Sequence, residues 1–404
     1  MIRRIPIRQL QPGMFVVDLH KSWLIHDFWR VRFLVGDQAT IDKMRAQGIR
    51  EVSIDTNRGL DITLREPGLV LTLAATPIPS FRERTAQKPA TLSLGEERRR
   101  ANRLLHEAHS TVQELMLAAQ IGKTIDAARL EPVVQRMLAS IMRNPDALVP
   151  MARLKAADRY SAEHAVATAA LIIALGRQLE QPEPEIERLA MGALLKDIGE
   201  LSLSVQLSEK PGSLSHGERS VVERHVEESL SVLEATTRLD ETTVAVILEH
   251  HERFDGSGYP YRREGDDISL AGRMAAIVDT YDAMTSDRPY RRAVAPARAL
   301  TEIFEQGGRQ FDAGLVASFV HTVGVYPVGS LVRLESGHLG VVEGQNAGHS
   351  LSPVVRIIYH AKRREYVAPT TVDLSRKFGN HYGRIVGIED YARWGISPQR
   401  WLPA

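Results

Sequence analysis

No cysteine occurs in the 404 residues. Disulfides and thiolate metal sites are thereby excluded, and a reducing compartment fits. Charge of one sign is also missing: Lys and Arg number 51 against 50 Asp and Glu, a net charge of +1. Such a balance supplies no argument for a nucleic-acid polymer or an anionic membrane as partner. Long hydrophobic runs are absent too. The longest, AVATAALIIALG at 165–176, is too short to span a bilayer and reads as a buried helix. The opening MIRRIPIRQLQPG has basic residues with no apolar core behind them, so it does not read as a secretory signal. A cytoplasmic location is the resulting expectation.

What is present describes a globular protein, with 43% hydrophobic and 25% charged residues. Its length favours two or three domains. Residues 1–75 carry short alternating runs, MFVVDL and EVSID, with a helical stretch near QATIDKMRAQG, and predict a small β-rich N-terminal module with one helix. Residues 76–97 are rich in Pro, Ser, Thr and charge without periodicity, which predicts a linker. From 98 to 326 apolar residues recur at three- and four-residue spacing, and no strand stands out. Ser215 lies three residues before Glu218, the spacing of a capping box. Residues 327–404 revert to strand-like runs, SLVRLESGHLGVVEG and PVVRIIYH, and predict a small β-rich C-terminal module. The expected fold is mainly α, a helical bundle flanked by two small β-rich modules.

The helical region gathers His164, Asp197, His225, His250, His251 and Asp279, each within or at the end of an apolar helical stretch. Buried ionisable groups are costly unless paired or bound to metal. Imidazole and carboxylate without thiolate suit iron, manganese, zinc or nickel. Taken singly, each histidine is equally a hydrogen-bonded core or surface residue. Adjacent His250 and His251 point about 100° apart on an ideal helix, so sharing a metal requires the helix to end there. Gly256, Gly258 and Pro260 supply that end.

The run HHERFDGSGYP at 250–260, followed by VDTYDAMTSDRPYR at 278–291, closely resembles the HD-GYP family. These are helical phosphodiesterases of cyclic di-GMP signalling, so the bundle is expected to be of HD type. The resemblance extends over about 150–325 and includes YSAEHAVATAALIIALG, KPGSLSHGE, ERHVEESLSVL and GGRQFDAGLVASFV. It implies a divalent metal centre, of iron or manganese, that cleaves a phosphodiester. One metal would take Asp197, His225, His250 and His251. A second would take His164, Asp197 as a bridge, Asp279, and a histidine directly before that aspartate. A third metal is not expected, since Tyr160 stands where members that bind one have glutamate. Arg288 and Arg291 match positions that meet substrate phosphates, although Arg288 could instead pair with Asp282 or Asp287. Asp282 is assigned to the substrate side, with support of the metal ligands or a plain surface acid as alternatives. Gly258, Tyr259 and Pro260 form the turn associated with docking of GGDEF-domain partners, where Tyr259 is either an anchor or a packing residue. A homodimer is compatible with the family.

Two departures bear on catalysis. The second metal's histidine is replaced by Lys196, and the lysine one turn later, which meets phosphate or the metal-bound water, is replaced by Glu200. An ammonium has no lone pair to donate. A unit charge about 4 Å from a divalent ion would oppose it by about 8 kcal/mol at an effective dielectric of 20. The expectation is that Lys196 stands where the second ion would sit and pairs with Asp197 or Asp279. The alternative is an exposed Lys196–Glu200 pair one helical turn apart. One metal per chain is then expected, two if the site is fully active. Two functions follow: a signalling protein impaired in catalysis that acts through binding cyclic di-GMP or a partner, or an active metal-dependent phosphodiesterase yielding the linear dinucleotide pGpG or GMP.

Overall fold

The computed structural model describes residues 2–18, 33–35, 38–46, 49–55, 94–152, 160–202, 207, 210, 212, 215–234, 239–287, 293–346, 349–376, 381–396 and 400–401. The chain forms two compact units, Met1–Thr91 and Leu92–Ala404.

In the first unit, β1 (Ile2–Pro6), β2 (Phe15–Asp18), β3 (Phe33–Leu34) and β4 (Glu51–Asp55) form an antiparallel sheet in the order β1-β4-β2-β3. Helix α1 (Gln38–Ala46) contributes Ile41 and Met44 to a core with Ile5, Val16, Val52 and Ile54. This is the small β-rich module with one helix that the alternating runs predict. The linker prediction falls largely on residues 56–93, outside the described set. Its end differs from expectation, because helix α2 (Leu94–Gln120) already includes 94–97. Glu97 is buried there, accepting from Ser140 Oγ at 2.8 Å and from Arg143 at 2.8 and 2.9 Å. A charge that resembles linker polarity is in fact a buried, fully bonded carboxylate.

The second unit is dominated by α2, α3 (Glu131–Arg143), α4 (Pro145–Ala152), α5 (Tyr160–Gln178), α6 (Glu183–Leu195), α7 (His216–Glu223), α8 (His225–Glu234), α9 (Glu241–Glu249), α10 (Leu270–Thr285), α11 (Pro296–Glu305) and α12 (Ala313–Val323). Helix α5 is apolar around nearly its whole circumference, and its residues 162–176 are buried on every side. The capping box at α7 is present, with Ser215 N donating to Glu218 Oε2 at 2.8 Å and Glu218 N to Ser215 Oγ at 3.4 Å. Asp240 and Ser269 cap α9 and α10 by the simpler one-way bond, their side chains accepting from Thr242 N and Gly272 N. Among the described residues from 94 to 326, isolated β-bridges are the only strand-type pairing. No helix among the described residues is long and apolar enough to cross a membrane.

The same unit ends in an antiparallel sheet of β5 (Leu331–Leu334), β6 (His338–Gly344), β7 (Val354–His360), β8 (Glu365–Asp373) and β9 (Ile385–Glu389), ordered β8-β7-β6-β5-β9. The run SLVRLESGHLGVVEG supplies β5 and β6, and PVVRIIYH supplies β7. Strand β8 contains Pro369, which argues against a strand unless it lies at an edge, and β8 does. The sheet is tied to the helices through Arg98 donating to Glu343 O at 2.6 Å and Gln345 N to Asp146 Oδ2 at 3.0 Å.

Candidate metal centre

Five segments deliver the site. His164 comes from the second turn of α5, and Asp279 and Asp282 from α10. His225 opens α8, and His250 and His251 follow the end of α9, the helix end that two adjacent histidines require. Helix α6 stops at Leu195, and the chain turns into a short 3-10 segment at Ile198–Ser202, carrying Lys196, Asp197 and Glu200 into the middle. Gly199 permits this turn to lie against α8, for a Cβ there would sit 2.4 Å from His225 O and 2.5 Å from Ser229 N. Ser229 fastens the contact, accepting from Gly199 N at 2.9 Å and donating to Lys196 O at 2.7 Å.

The centre has two halves that share Asp197. In the first, His225 Nδ1 donates to Val222 O at 2.7 Å and His250 Nδ1 to Ile247 O at 2.8 Å. A carbonyl only accepts, so the proton of each neutral ring is on Nδ1 and both Nε2 lone pairs face inward, 3.5 Å apart. Asp197 Oδ1 adds a third acceptor, 3.4 Å from His250 Nε2 and 3.8 Å from His225 Nε2. Burial pushes the His250 pKa down, and burial with the neighbouring His250 pushes His251 well down, so both are held neutral. His225, His250 and His251 bring ligand nitrogens within 4.8 Å of one another. Converging acceptors without donors between them fit a divalent cation.

The second half has the opposite character. His164, Asp197 and Asp279 also bring ligand atoms within 4.8 Å, but the ammonium of Lys196 is among them. Its Nζ lies 2.6 Å from Asp279 Oδ1 and 3.0 Å from His164 Nε2, and it bonds Asp197 Oδ2 directly. Lys196 is 1% exposed, and no ion pair joins it to Glu200 among the described residues, so the exposed-pair alternative does not hold. Burial opposes its charge, yet the carboxylates of Asp197 and Asp279 outweigh burial and hold its pKa above the ordinary value. In return Lys196 holds both carboxylates well below their usual range, against the effect of burial.

Asp282 is fully buried, with Oδ2 2.6 Å from His164 Nδ1. That is the geometry of an acid that orients a histidine, and a substrate contact does not fit it. The turn at Gly258-Tyr259-Pro260 is less exposed than expected. Gly258 is buried, where a Cβ would lie 2.4 Å from Arg253 N, and a buried backbone position is not a docking contact. Tyr259 stacks on His251, with ring centroids 4.6 Å apart. Arg288 and Arg291 lie outside the described residues. Two supporting residues escaped sequence reasoning. One is Ser229. The other is Glu252, whose carboxylate accepts from Tyr261 N at 2.8 Å and Arg263 N at 3.2 Å and so pins the turn. Neither has a spacing that distinguishes it from an ordinary helix or loop residue.

Residues 134–315 match the family model of the HD domain, and residues 2–130 that of a domain of unknown function (DUF3391). The chain is 40% identical over 397 residues to the cyclic di-GMP phosphodiesterase PA4108 of Pseudomonas aeruginosa, covering 98% of this chain and 94% of that protein. It is 36% identical over 139 residues to the cyclic di-GMP phosphodiesterase response regulator RpfG of Xanthomonas campestris, covering 34% of this chain and 37% of that one. Among solved structures, an HDG"Y"P protein from Bdellovibrio bacteriovorus aligns over 79% of this chain and 98% of its own, at 16% identity and a TM-score of 0.48. The full-length similarity and the helical HD domain establish that the chain belongs to the HD-GYP family.

Proposed function

We propose that this protein acts in cyclic di-GMP signalling with a centre reduced to one metal position, so that hydrolysis is impaired and its output runs through binding the nucleotide or a partner. The observation that supports this reading is the ammonium of Lys196 lodged between Asp197, Asp279 and His164. A second ion would have to displace a buried, charged lysine that already neutralises two of its carboxylate ligands.

The remaining position would be held by His225, His250, His251 and Asp197. A divalent ion there, iron or manganese by the family resemblance, supplies Lewis-acid polarisation of a phosphoryl oxygen and acidifies water. The chain's own residues do the rest. Val222 O and Ile247 O fix the tautomers of His225 and His250. Tyr259 backs His251 by stacking. Lys196 balances Asp197 and Asp279 but donates no lone pair. Glu200 puts an anionic group where the family's lysine attracts phosphate.

Metal analysis and turnover of cyclic di-GMP with added iron or manganese test this reading. One ion per chain with negligible turnover is expected, and two tightly held ions with brisk turnover would overturn it. Lys196→His combined with Glu200→Lys should raise the metal content from one ion to two and increase hydrolysis. A second reading, retained phosphodiesterase activity, is favoured by the 40% identity to a protein named as a cyclic di-GMP phosphodiesterase. The same turnover measurement decides between them.

A further inference from the structure

The turn that ends α6 has a consequence for Glu200. In a continuous α-helix, residue 200 would align with residue 196, one turn away. The chain instead leaves α6 at Leu195 and enters the 3-10 segment, where Glu200 N donates to Asp197 O at 2.9 Å. With three residues per turn, side chains three apart eclipse, so Glu200 falls in line with Asp197 and away from Lys196. Asp197, Glu200 and His225 accordingly bring ligand atoms within 4.8 Å of one another. This group shares His225 with the histidine triad and Asp197 with the lysine half.

A second observation concerns what the Glu200 carboxylate meets. It has no side-chain hydrogen bond and no ion pair among the described residues, although it sits half-buried beside a second carboxylate. The nearby cation is engaged elsewhere, since Lys196 faces Asp197 Oδ2, Asp279 and His164. On the side of His225 the ring nitrogen turned inward is an acceptor, because its Nδ1 is spent on Val222 O. Glu200 therefore lies beside Asp197 and His225 with no hydrogen bond to either among the described residues. A cation shared by these groups would stabilise the two neighbouring carboxylates.

We propose that Glu200 is a ligand of the single ion at His225, His250, His251 and Asp197, turning the family's phosphate-contacting position into an anionic metal ligand. The inference rests on the one-metal reading above. It gives the ion three imidazoles and two carboxylates, a set that suits manganese or ferrous iron. It also explains why the two unusual residues occur together. Lys196 removes one metal position, and Glu200 gives the surviving ion a ligand where an open catalytic site would leave room for a phosphoryl oxygen.

The test is titration of the metal-stripped full-length protein with Mn(II) by calorimetry and with Co(II) by visible absorption, whose ligand-field bands report the coordination set. The variants are Glu200→Ala, Glu200→Gln and, as reference, His250→Ala. Expected are one ion per chain for the parent, affinity lower by about tenfold or more for Glu200→Ala, altered Co(II) bands in both Glu200 variants, and loss of binding in His250→Ala. Circular dichroism of the metal-free forms establishes folding, and the near-isosteric Glu200→Gln carries the test should Glu200→Ala not fold. Unchanged affinity and unchanged Co(II) bands in the Glu200 variants, with binding abolished by His250→Ala, would overturn the role of Glu200 alone. No ion in the parent, or binding indifferent to His250→Ala, would overturn the one-metal reading with it.

Discussion

The two halves of the centre use one aspartate for opposite ends. On the histidine side, Asp197 Oδ1 faces two imidazole lone pairs, and among the described residues nothing between them donates. On the lysine side, Asp197 Oδ2 meets an ammonium that also bonds Asp279. The first arrangement gathers acceptors that a cation would satisfy, whereas the second carries its own cation. On the proposed one-metal reading, a buried charge of the same sign takes the place of one ion of a dinuclear site and meets the carboxylates left behind. What cannot be substituted is the open coordination position, because an ammonium balances charge without binding water or a phosphoryl oxygen.

The comparison breaks most sharply at Lys196. Lys196→Met leaves Asp197 and Asp279 buried without their cation, and a loss of about 3–5 kcal/mol in unfolding free energy is expected from denaturant titration of the metal-free protein. An unchanged midpoint would mean that the pair adds no stability. Ser229→Ala is expected to cost about 1–3 kcal/mol, since it leaves Gly199 N and Lys196 O without their buried partner. Because that serine supports the turn carrying Lys196, Asp197 and Glu200, metal affinity should fall with stability, and a stability loss alone would separate the two.

Acid should divide the halves by pH. The folded-state pKa values of His250 and His251 are depressed by burial, so their favourable contribution is present above the unfolded value of about 6.5 and is lost as pH falls below it. Protons also compete directly with the ion, and Mn(II) affinity is expected to drop by about tenfold or more between pH 7 and pH 5. The lysine half behaves differently. Asp197 and Asp279 are depressed, so their contribution is lost only below about 3.9, as pH descends through their folded values. Lys196 is raised, so its contribution is fully present below about 10.4 and is lost only as pH climbs through its folded value. In the metal-free Lys196→Met protein burial is no longer outweighed at Asp197 and Asp279, so loss of stability in acid should begin at a higher pH than in the parent, as read from denaturant midpoints across pH. The smallest effect is expected at Tyr259. Tyr259→Ala removes the stack on His251, worth about 1 kcal/mol, and should weaken metal binding by only a few-fold in the same calorimetric titration.

Much of the fold was legible. The apolar run of α5, the capping box of α7 and the alternating runs of the first module all predict what is observed, since each depends on neighbours a few residues apart. Strand β8 was not legible, because Pro369 is acceptable only at a sheet edge, and edge position is a property of the assembled sheet. Glu97 was mistaken for linker polarity because its partners Ser140 and Arg143 are distant in the chain. At the centre, the histidines and aspartates could be collected from their types and from the family resemblance. The role of Asp282 could not be settled, since its contact with His164 joins residues 118 apart in the chain.

Sequence by itself determined the donor inventory: imidazoles and carboxylates in number, an amine in place of one imidazole, and no thiolate. Those properties belong to the side chains and hold in any fold. Tertiary structure alone decided which acids the amine meets, and that Glu200 aligns with Asp197 instead of Lys196. The reason is geometric. Both outcomes depend on where one helix stops and on how closely Gly199 lets the following turn approach its neighbour.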